Sequence, residues 1–301
     1  MENTNNPFEV KASAGAYMHK ARTLYLEGRL EDAILEYNNA LECDPDLVEA
    51  YIWRGTAKSF RGRYFEAITD FNDALDIDPN NAEAYYKRGI AKGQLNHPQE
   101  AILDFNRTIE LDPSQARVYY NRGIAKRTDG QKEEAVADFD KAIELDSNYA
   151  VAYYARGDVK NEMERYFDAI YDFEKAIRLI PNYAEAYYSR ACAKSSLGYP
   201  AEAITDFDKT IELQPLNAKA YCQRGIAKSN LDNYREALSD FNEAISLTQD
   251  YAEAYYNRGR AKYILGNKRE AKEDLEKALE FVMQYYDPDL ESQIRNVLDI
   301  F

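Results

Sequence analysis

Residues that commonly carry catalysis or bind metals are few and scattered in this 301-residue sequence. Its two histidines, His19 and His97, lie far apart, and neither has a second histidine, a cysteine or a carboxylate at metal-ligand spacing. The sequence has no glycine-rich phosphate loop, no Gly-x-Ser-x-Gly motif and no cysteine paired with a positioned histidine. We therefore expect no catalytic residue, no metal, no cofactor and no enzyme activity.

Three cysteines, Cys43, Cys192 and Cys222, form an odd and unclustered set. They do not predict a disulfide framework, which is consistent with a reducing compartment. Nothing near Cys192 or Cys222 predicts a lowered thiol pKa, so we expect inert, buried or half-buried thiols, with redox sensitivity as the alternative.

The charge balance and the apolar pattern limit the partners. The 53 acidic residues exceed the 38 basic ones, so the net charge is -15, which disfavours binding to a phosphate backbone or an anionic membrane. The sequence contains no apolar run of 18 residues and no basic and apolar N-terminal leader. We expect no nucleic-acid partner, no membrane span, no secretory signal and a cytoplasmic location.

A period of 34 residues organises almost the whole chain. A tyrosine recurs at this step at Tyr17, Tyr51, Tyr85, Tyr119, Tyr153, Tyr187, Tyr221 and Tyr255. An alanine keeps the same step from Ala33 to Ala271, and an aromatic residue keeps it from Tyr37 to Phe241, with Leu275 in the last copy. Numbered so that the recurrent tyrosine is position 4, the period gives eight units.

Each unit predicts two helices. Apolar and small residues fall at helical spacing in two blocks, with glycine recurring where the first helix should stop and proline where the second should stop. Ser147, Gln249 and Met283 replace the proline, which predicts softer boundaries after units four, seven and eight. Glycine or alanine at position 8, inside the first helix, predicts a close approach to the aromatic residue of the second helix.

This 34-residue pattern of aromatic, glycine or alanine, alanine, phenylalanine and proline resembles the tetratricopeptide repeat. The resemblance implies an all-α, right-handed superhelical solenoid of helix-turn-helix repeats. We expect a flexible tail at 1–13 and a capping helix at 286–301, with Leu290, Ile294, Val297, Leu298 and Phe301 on one apolar stripe. Eight repeats then fill 14–285, at 14–47, 48–81, 82–115, 116–149, 150–183, 184–217, 218–251 and 252–285.

Two basic rows on the first helices face two acidic rows on the second. Positions 7 and 11 are basic in almost every unit, and positions 19 and 23 are acidic in all eight. In an antiparallel helix pair, position 7 is level with 23 and position 11 with 19, so we predict these two sets of ion pairs. A phosphate-binding use of the basic rows is correspondingly disfavoured.

The resemblance also implies that positions 2, 5, 6, 9 and 12 of the first helices line a concave groove. Position 5 carries five tyrosines, and position 9 is apolar in units three and four. We predict a partner-binding groove, outside the packing set, formed by Tyr86, Lys87, Ile90, Arg117, Tyr120, Asn121, Ile124, Arg127, Tyr154 and Tyr188. The alternative is that these tyrosines only stack on one another.

The expected function is a non-catalytic scaffold that binds a peptide or helical segment of a partner protein in this groove. The alternative is a self-associating assembly protein that uses its ends or its convex surface. A carboxylate clamp for chaperone C-termini is disfavoured, because no unit has lysine at position 5 or asparagine at position 9. The identity of the partner is not predicted.

Overall fold

The computed structural model describes residues 7–300, with side chains from residue 13 onward. The described residues form 17 α-helices and no strand, which confirms the predicted all-α repeat solenoid. They divide into two compact units, Met1–Ala152 and Tyr153–Phe301, and the division falls inside the ninth helix. Each unit is therefore described by itself.

Eight helices and the start of a ninth form the first unit, in antiparallel pairs. Their bounds are α1 Pro7–Leu26, α2 Leu30–Cys43, α3 Val48–Phe60, α4 Tyr64–Ile77, α5 Ala82–Gln94, α6 Pro98–Leu111, α7 Ala116–Thr128, α8 Lys132–Leu145 and α9 Ala150–Glu162. Helix α1 begins at Pro7, so the flexible tail predicted at 1–13 is wrong for residues 7–13. Residues 1–6 lie outside the described residues.

The second unit continues the same alternation. It contains the rest of α9, then α10 Tyr166–Leu179, α11 Ala184–Ser196, α12 Pro200–Leu213, α13 Ala218–Ser229, α14 Tyr234–Leu247, α15 Ala252–Ile264, α16 Lys268–Tyr285 and α17 Pro288–Leu298. On α17, Ile294 is fully buried, and Leu290 and Val297 pack beside it against Tyr255 and Val282. Phe301, the last residue of the predicted stripe, lies outside the described residues.

The second helices end more regularly than the missing prolines predict. Helices α8 and α14 stop at Leu145 and Leu247, as their counterparts do, although Ser147 and Gln249 replace proline. Only α16, which has Met283 at this place, continues for an additional turn to Tyr285. The second helices of units four and seven therefore end where the others do, and that of unit eight continues past this position in place of a softer end.

The core of each repeat is the contact predicted between the two helices. The second-helix aromatic residue is almost fully buried in repeats one to seven, and Leu275 replaces it in repeat eight. A Cβ atom on Gly123 would lie 2.7 Å from Cε1 of Phe139, and one on Gly225 would lie 2.6 Å from Cε1 of Phe241. Glycine at position 8 thus allows the close approach that the sequence predicts.

The turn between the two helices requires a left-handed residue at position 15 of all eight repeats. Five repeats have glycine there, including Gly130 with φ +83°, and the other three have Asn96, Glu164 and Asp232 with φ of 59° to 61°. Glutamate is the least suited of these residues, because its Cβ atom crowds the backbone and its side chain does not form the local hydrogen bonds available to asparagine and aspartate.

We expect Glu164→Gly to raise the free energy of unfolding by about 1 kcal/mol, since it removes this conformational cost. The matched control is Gly130→Ala, which should lower stability by a similar amount at the same repeat position. Urea unfolding followed by circular dichroism measures both changes. A destabilising effect of Glu164→Gly would contradict the argument.

Candidate functional site

The basic residues at positions 7 and 11 form ion pairs within the repeats. In repeats two to eight, the arginine at position 7 binds the buried aspartate at position 23 with two nitrogens, as Arg88 Nε and Nη2 do with Asp104 at 3.0 and 2.6 Å. Lys92 Nζ lies 2.9 Å from the second oxygen of the same carboxylate. The pairs formed by positions 7 and 23 are therefore confirmed.

The partner predicted for position 11 is wrong. In repeats two to eight its lysine contacts the aspartate at position 23, at 2.8–2.9 Å. Only Lys92 and Lys262 also approach the acid at position 19, at 3.5 and 3.4 Å. A buried carboxylate is stable only when several donors compensate for its lost hydration, so the lysine completes this site.

The recurrent arginine also joins successive repeats. Arg88 Nη1 donates to Asn72 Oδ1 of the preceding repeat at 2.7 Å, and Arg122 donates in the same way to Asn106 at 2.7 Å. Its guanidinium covers the ring of the recurrent tyrosine, with a distance of 5.2 Å from Arg88 Cζ to the centroid of Tyr85. The 34-residue tyrosine period thus has a structural role, because each of these rings in repeats two to eight packs under the arginine of its own repeat.

Two tyrosines of the predicted groove pack against the core of their own repeats. Tyr86 is only 6% exposed, and its ring lies 6.1 Å from that of Phe105 in its own repeat. Tyr120 lies 5.9 Å from Phe139 and 5.3 Å from Tyr149. The expectation that these tyrosines lie outside the packing set is therefore wrong, because each ring turns back onto the phenylalanine of its own repeat.

Burial changes the acidity of these phenols. It raises the pKa of Tyr86 and Tyr120, and the positive charge of Arg127 partly opposes the increase at Tyr120. Asn121 Nδ2 donates to Tyr86 Oη at 3.1 Å and to the carbonyl of Arg117 at 2.8 Å. The phenols of this surface therefore remain neutral hydrogen-bonding groups at physiological pH.

One carboxylate that the sequence analysis missed holds two of the predicted basic residues. Glu83 lies 2.8 Å from Arg117 Nη2 and 3.5 Å from Lys87 Nζ, and the Arg117 guanidinium covers Tyr86 at 4.5 Å from the centroid. The signal was available, because Glu83 and Arg117 both occupy position 2 of successive repeats. This network rigidifies the rim of the surface.

The aliphatic part of the predicted strip borders a small cavity. Ile90 and Ile124 are half-buried, and with Asn121 and Thr128 they line a volume of about 110 Å³. A larger cavity of about 390 Å³ lies on the first three repeats, lined by Arg22, Ile52, Trp53, Thr56 and Lys87 among others. Lys87 is the residue that the predicted strip shares with this second cavity.

The last two predicted groove residues lie in the second unit. The ring centroids of Tyr154 and Phe173 are 5.9 Å apart, and those of Tyr188 and Phe207 are 5.8 Å apart. Each tyrosine thus packs on the phenylalanine of its own repeat, as Tyr86 and Tyr120 do in the first unit. Burial raises the pKa of Tyr188 far above its ordinary value. The other eight predicted residues, from Tyr86 to Arg127, lie in the first unit.

The three cysteines are buried or half-buried, as predicted. Burial raises the pKa of Cys192 to about 11, and burial together with the charge of Glu253 raises that of Cys222. Among residues 13–300, no group of three histidine, cysteine or acidic side chains is arranged to hold a metal ion. None of the described helices combines the length and the hydropathy that a membrane span requires.

Comparison with known proteins identifies the repeat. A family model described as TPR repeat matches residues 21–58, 61–96 and 230–266. Models described as tetratricopeptide repeat match residues 82–115, 116–149, 150–183, 184–215 and 252–284. No curated protein matches the chain in sequence.

Several solved structures are similar. The MamA protein is 32% identical, with 57% of this chain and 94% of that chain covered at a TM-score of 0.52. YrrB, described as a TPR protein with an unusual peptide-binding site, is 30% identical, with 64% and 97% covered at a TM-score of 0.54. A tetratricopeptide repeat protein from Parabacteroides merdae, 21% identical with 83% and 99% covered at a TM-score of 0.62, shows the fold alone.

Proposed function

Because the chain belongs to the tetratricopeptide repeat family, we propose that it is a non-catalytic scaffold for protein–protein interactions. The proposed ligand is a peptide or helical segment of a partner, bound on the first helices of repeats three and four. The similar YrrB protein has a peptide-binding site, which supports this class of function. The cytoplasmic location stays a prediction.

The half-buried pair of Ile90 and Ile124 beside a small cavity is the observation that carries this proposal. Apolar side chains next to a fixed amide, here Asn121, can receive an apolar anchor and hydrogen-bond the peptide backbone beside it. The packed tyrosines contribute a rigid wall, because Tyr86 and Tyr120 are already held against the core.

The charges at the rim favour carboxylates in the ligand. Lys87 and Arg117 share a single acidic partner, Glu83, so this rim keeps a net positive charge on a chain whose overall charge is -15. Such local charges orient a ligand and increase its association rate more than they increase its affinity. We therefore propose an apolar anchor flanked by acidic residues.

The proposal is tested with the partner obtained by affinity capture and mass spectrometry, followed by calorimetric titration. We expect Ile90→Ser combined with Ile124→Ser to weaken binding about 30-fold or more, since truncating each half-buried isoleucine costs about 1 kcal/mol or more and about 1.4 kcal/mol corresponds to tenfold. Both isoleucines are less buried than the neighbouring Tyr86, so circular dichroism should change little.

Leu103→Ser is the matched control, because Leu103 is 67% exposed on α6, the second helix of the same repeat. It should leave binding unchanged. If Leu103→Ser abolishes binding and the isoleucine variant retains it, recognition uses the second helices and the proposal is wrong.

A self-associating assembly protein is the second candidate, supported by exposed apolar residues on second helices. Phe65 is 69% exposed in the first unit, and Phe167 and Tyr171 are 67% and 52% exposed one turn apart on α10 of the second unit. Contiguous exposed apolar side chains favour association. Light scattering over a dilution series distinguishes the two functions, because only self-association gives a mass that depends on concentration.

A further inference from the structure

The last repeat departs from the others in one way that creates a new surface. Helix α16 has 18 residues, whereas the second helix of every other repeat has 14. Met283 stands where five other repeats have proline, so no ring blocks the added turn, although α8 and α14 stop at the usual position without proline. The chain then turns at Tyr286, in the left-handed conformation, and α17 begins at Pro288.

A cleft of about 600 Å³ lies between α15, the last turns of α16 and the start of α17. Its walls are largely aromatic and aliphatic, formed by Tyr256, Phe281, Tyr285 and Leu290, with Ile226 at the side of α13. Tyr285, a residue of the added turn, is fixed there because its hydroxyl donates to Asp250 at 2.6 Å. The cleft is therefore a consequence of the longer helix.

The acidic groups of the cleft already have structural roles. Glu253 accepts hydrogen bonds from Tyr251 Oη at 3.1 Å and from Gln223 Nε2 at 3.2 Å. Asp287 caps α17 by accepting from the Leu290 amide at 3.0 Å. Asp289 lies in the first turn of the same helix, where a negative charge is favourable.

Arg260 is the basic residue of this cleft, and it lacks an acidic partner among residues 13–300. Its guanidinium lies over the ring of Tyr256, at 5.4 Å from the centroid, and the side chain is exposed. Arg22 occupies the same position of repeat one, and there it covers Trp53 and lies 3.7 Å from Glu49, at position 2 of the next repeat. After repeat eight the corresponding acid is Asp287, which caps α17 instead.

We propose that this cleft binds a peptide segment that places an aromatic side chain against Tyr256, Phe281 and Leu290 and a carboxylate on Arg260. The carboxylate takes the place that Glu49 fills beside Arg22, and the apolar walls supply the affinity. Asp287 and Asp289 repel a second carboxylate, so the ligand carries one. This site is independent of the surface proposed on repeats three and four.

A defined probe tests the proposal on the full chain. The probe is the acetylated and amidated tetrapeptide Gly-Phe-Asp-Gly, and the methyl resonances of Ile226 and Leu290 report binding by NMR. We expect progressive shifts of these methyls with a dissociation constant in the millimolar range, and at least fivefold weaker binding of the Gly-Phe-Asn-Gly peptide, which lacks the charge.

Arg260→Glu should remove these shifts without changing the circular dichroism melting curve, since the side chain is exposed. Arg269→Glu is the matched control, because Arg269 is 88% exposed on α16 outside the cleft, and it should leave binding unchanged. Equal binding of the aspartate and asparagine peptides, tighter binding of a lysine peptide, unchanged shifts in Arg260→Glu, or no shift at about 10 mM peptide would each overturn the proposal.

Discussion

Replacing Asp138 with alanine should lower the free energy of unfolding by about 3–5 kcal/mol. The Asp138 side chain is only 6% exposed. It accepts hydrogen bonds from two nitrogens of Arg122 and forms an ion pair with Lys126 Nζ at 2.8 Å. Its removal leaves two cations, each less than one fifth exposed, without a counter-charge. Because their desolvation is no longer compensated, the loss should exceed that of any exposed ion pair.

Glu144→Ala on the same helix is the control for this prediction. Glu144 pairs with Lys141 at 2.7 Å, but the two side chains are 67% and 39% exposed, so the expected loss is below about 1 kcal/mol. Urea unfolding measures both variants, and a double-mutant cycle of Asp138→Ala with Arg122→Ala measures their coupling. Equal losses for Asp138→Ala and Glu144→Ala, or no coupling in the cycle, would refute the account of the buried cluster.

The sequence predicts the repeat and the pairing of Arg122 with Asp138, because the helix period and the antiparallel turn determine which positions lie level. It does not predict that Lys126 also binds Asp138. The level of Lys126 along the hairpin matches Glu134, but a flexible lysine reaches the more deeply buried carboxylate, where its charge compensates the larger desolvation. Which of the two carboxylates Lys126 binds depends on how deeply each is buried, and the spacing of residues in the sequence does not give that burial.

The expectation that the groove tyrosines lie outside the packing set is wrong for a related reason. Helical periodicity places Tyr86 and Tyr120 on the first-helix face, but it does not give the direction in which a long side chain leans. In the structure both rings turn onto Phe105 and Phe139, whereas the shorter Ile90 and Ile124 are half-buried beside a cavity. The candidate binding strip is therefore narrower and more aliphatic than the sequence predicts.

The cleft beside α17 is a third feature that the sequence does not predict. The sequence shows that Met283 replaces a proline, and from this a softer boundary follows. It does not show that α16 would gain an ordered turn or that Asp287 would cap α17 and leave Arg260 without a partner. Those outcomes depend on how the side chains at the end of α16 and the start of α17 pack and cap, which the spacing of residues along the sequence does not give.

The second large effect is expected at the contact between Gly123 and Phe139. Phe139 is fully buried, so Phe139→Ala should lower the free energy of unfolding by about 3–5 kcal/mol through lost burial and the cavity left behind. Hydrogen exchange should show the loss first in α7 and α8, because a repeat contacts only its neighbours. A loss spread evenly over both compact units would contradict this local account.

The same contact makes the effect of Gly123→Ala depend on the residue opposite. In the unmodified chain a Cβ atom at Gly123 meets Phe139 at 2.7 Å, so overpacking of about 1–3 kcal/mol should exceed the gain in helix propensity of about 1 kcal/mol. Ala191 packs with Phe207 in the core of repeat six, so the helices can adjust to an alanine and the net loss should be small. In the Phe139→Ala background the three nearest contacts of that Cβ atom are gone, and Gly123→Ala should become stabilising by up to about 1 kcal/mol. Urea unfolding of the four chains measures this change of sign, and an identical effect of Gly123→Ala in both backgrounds would show that the glycine is not required by the aromatic ring.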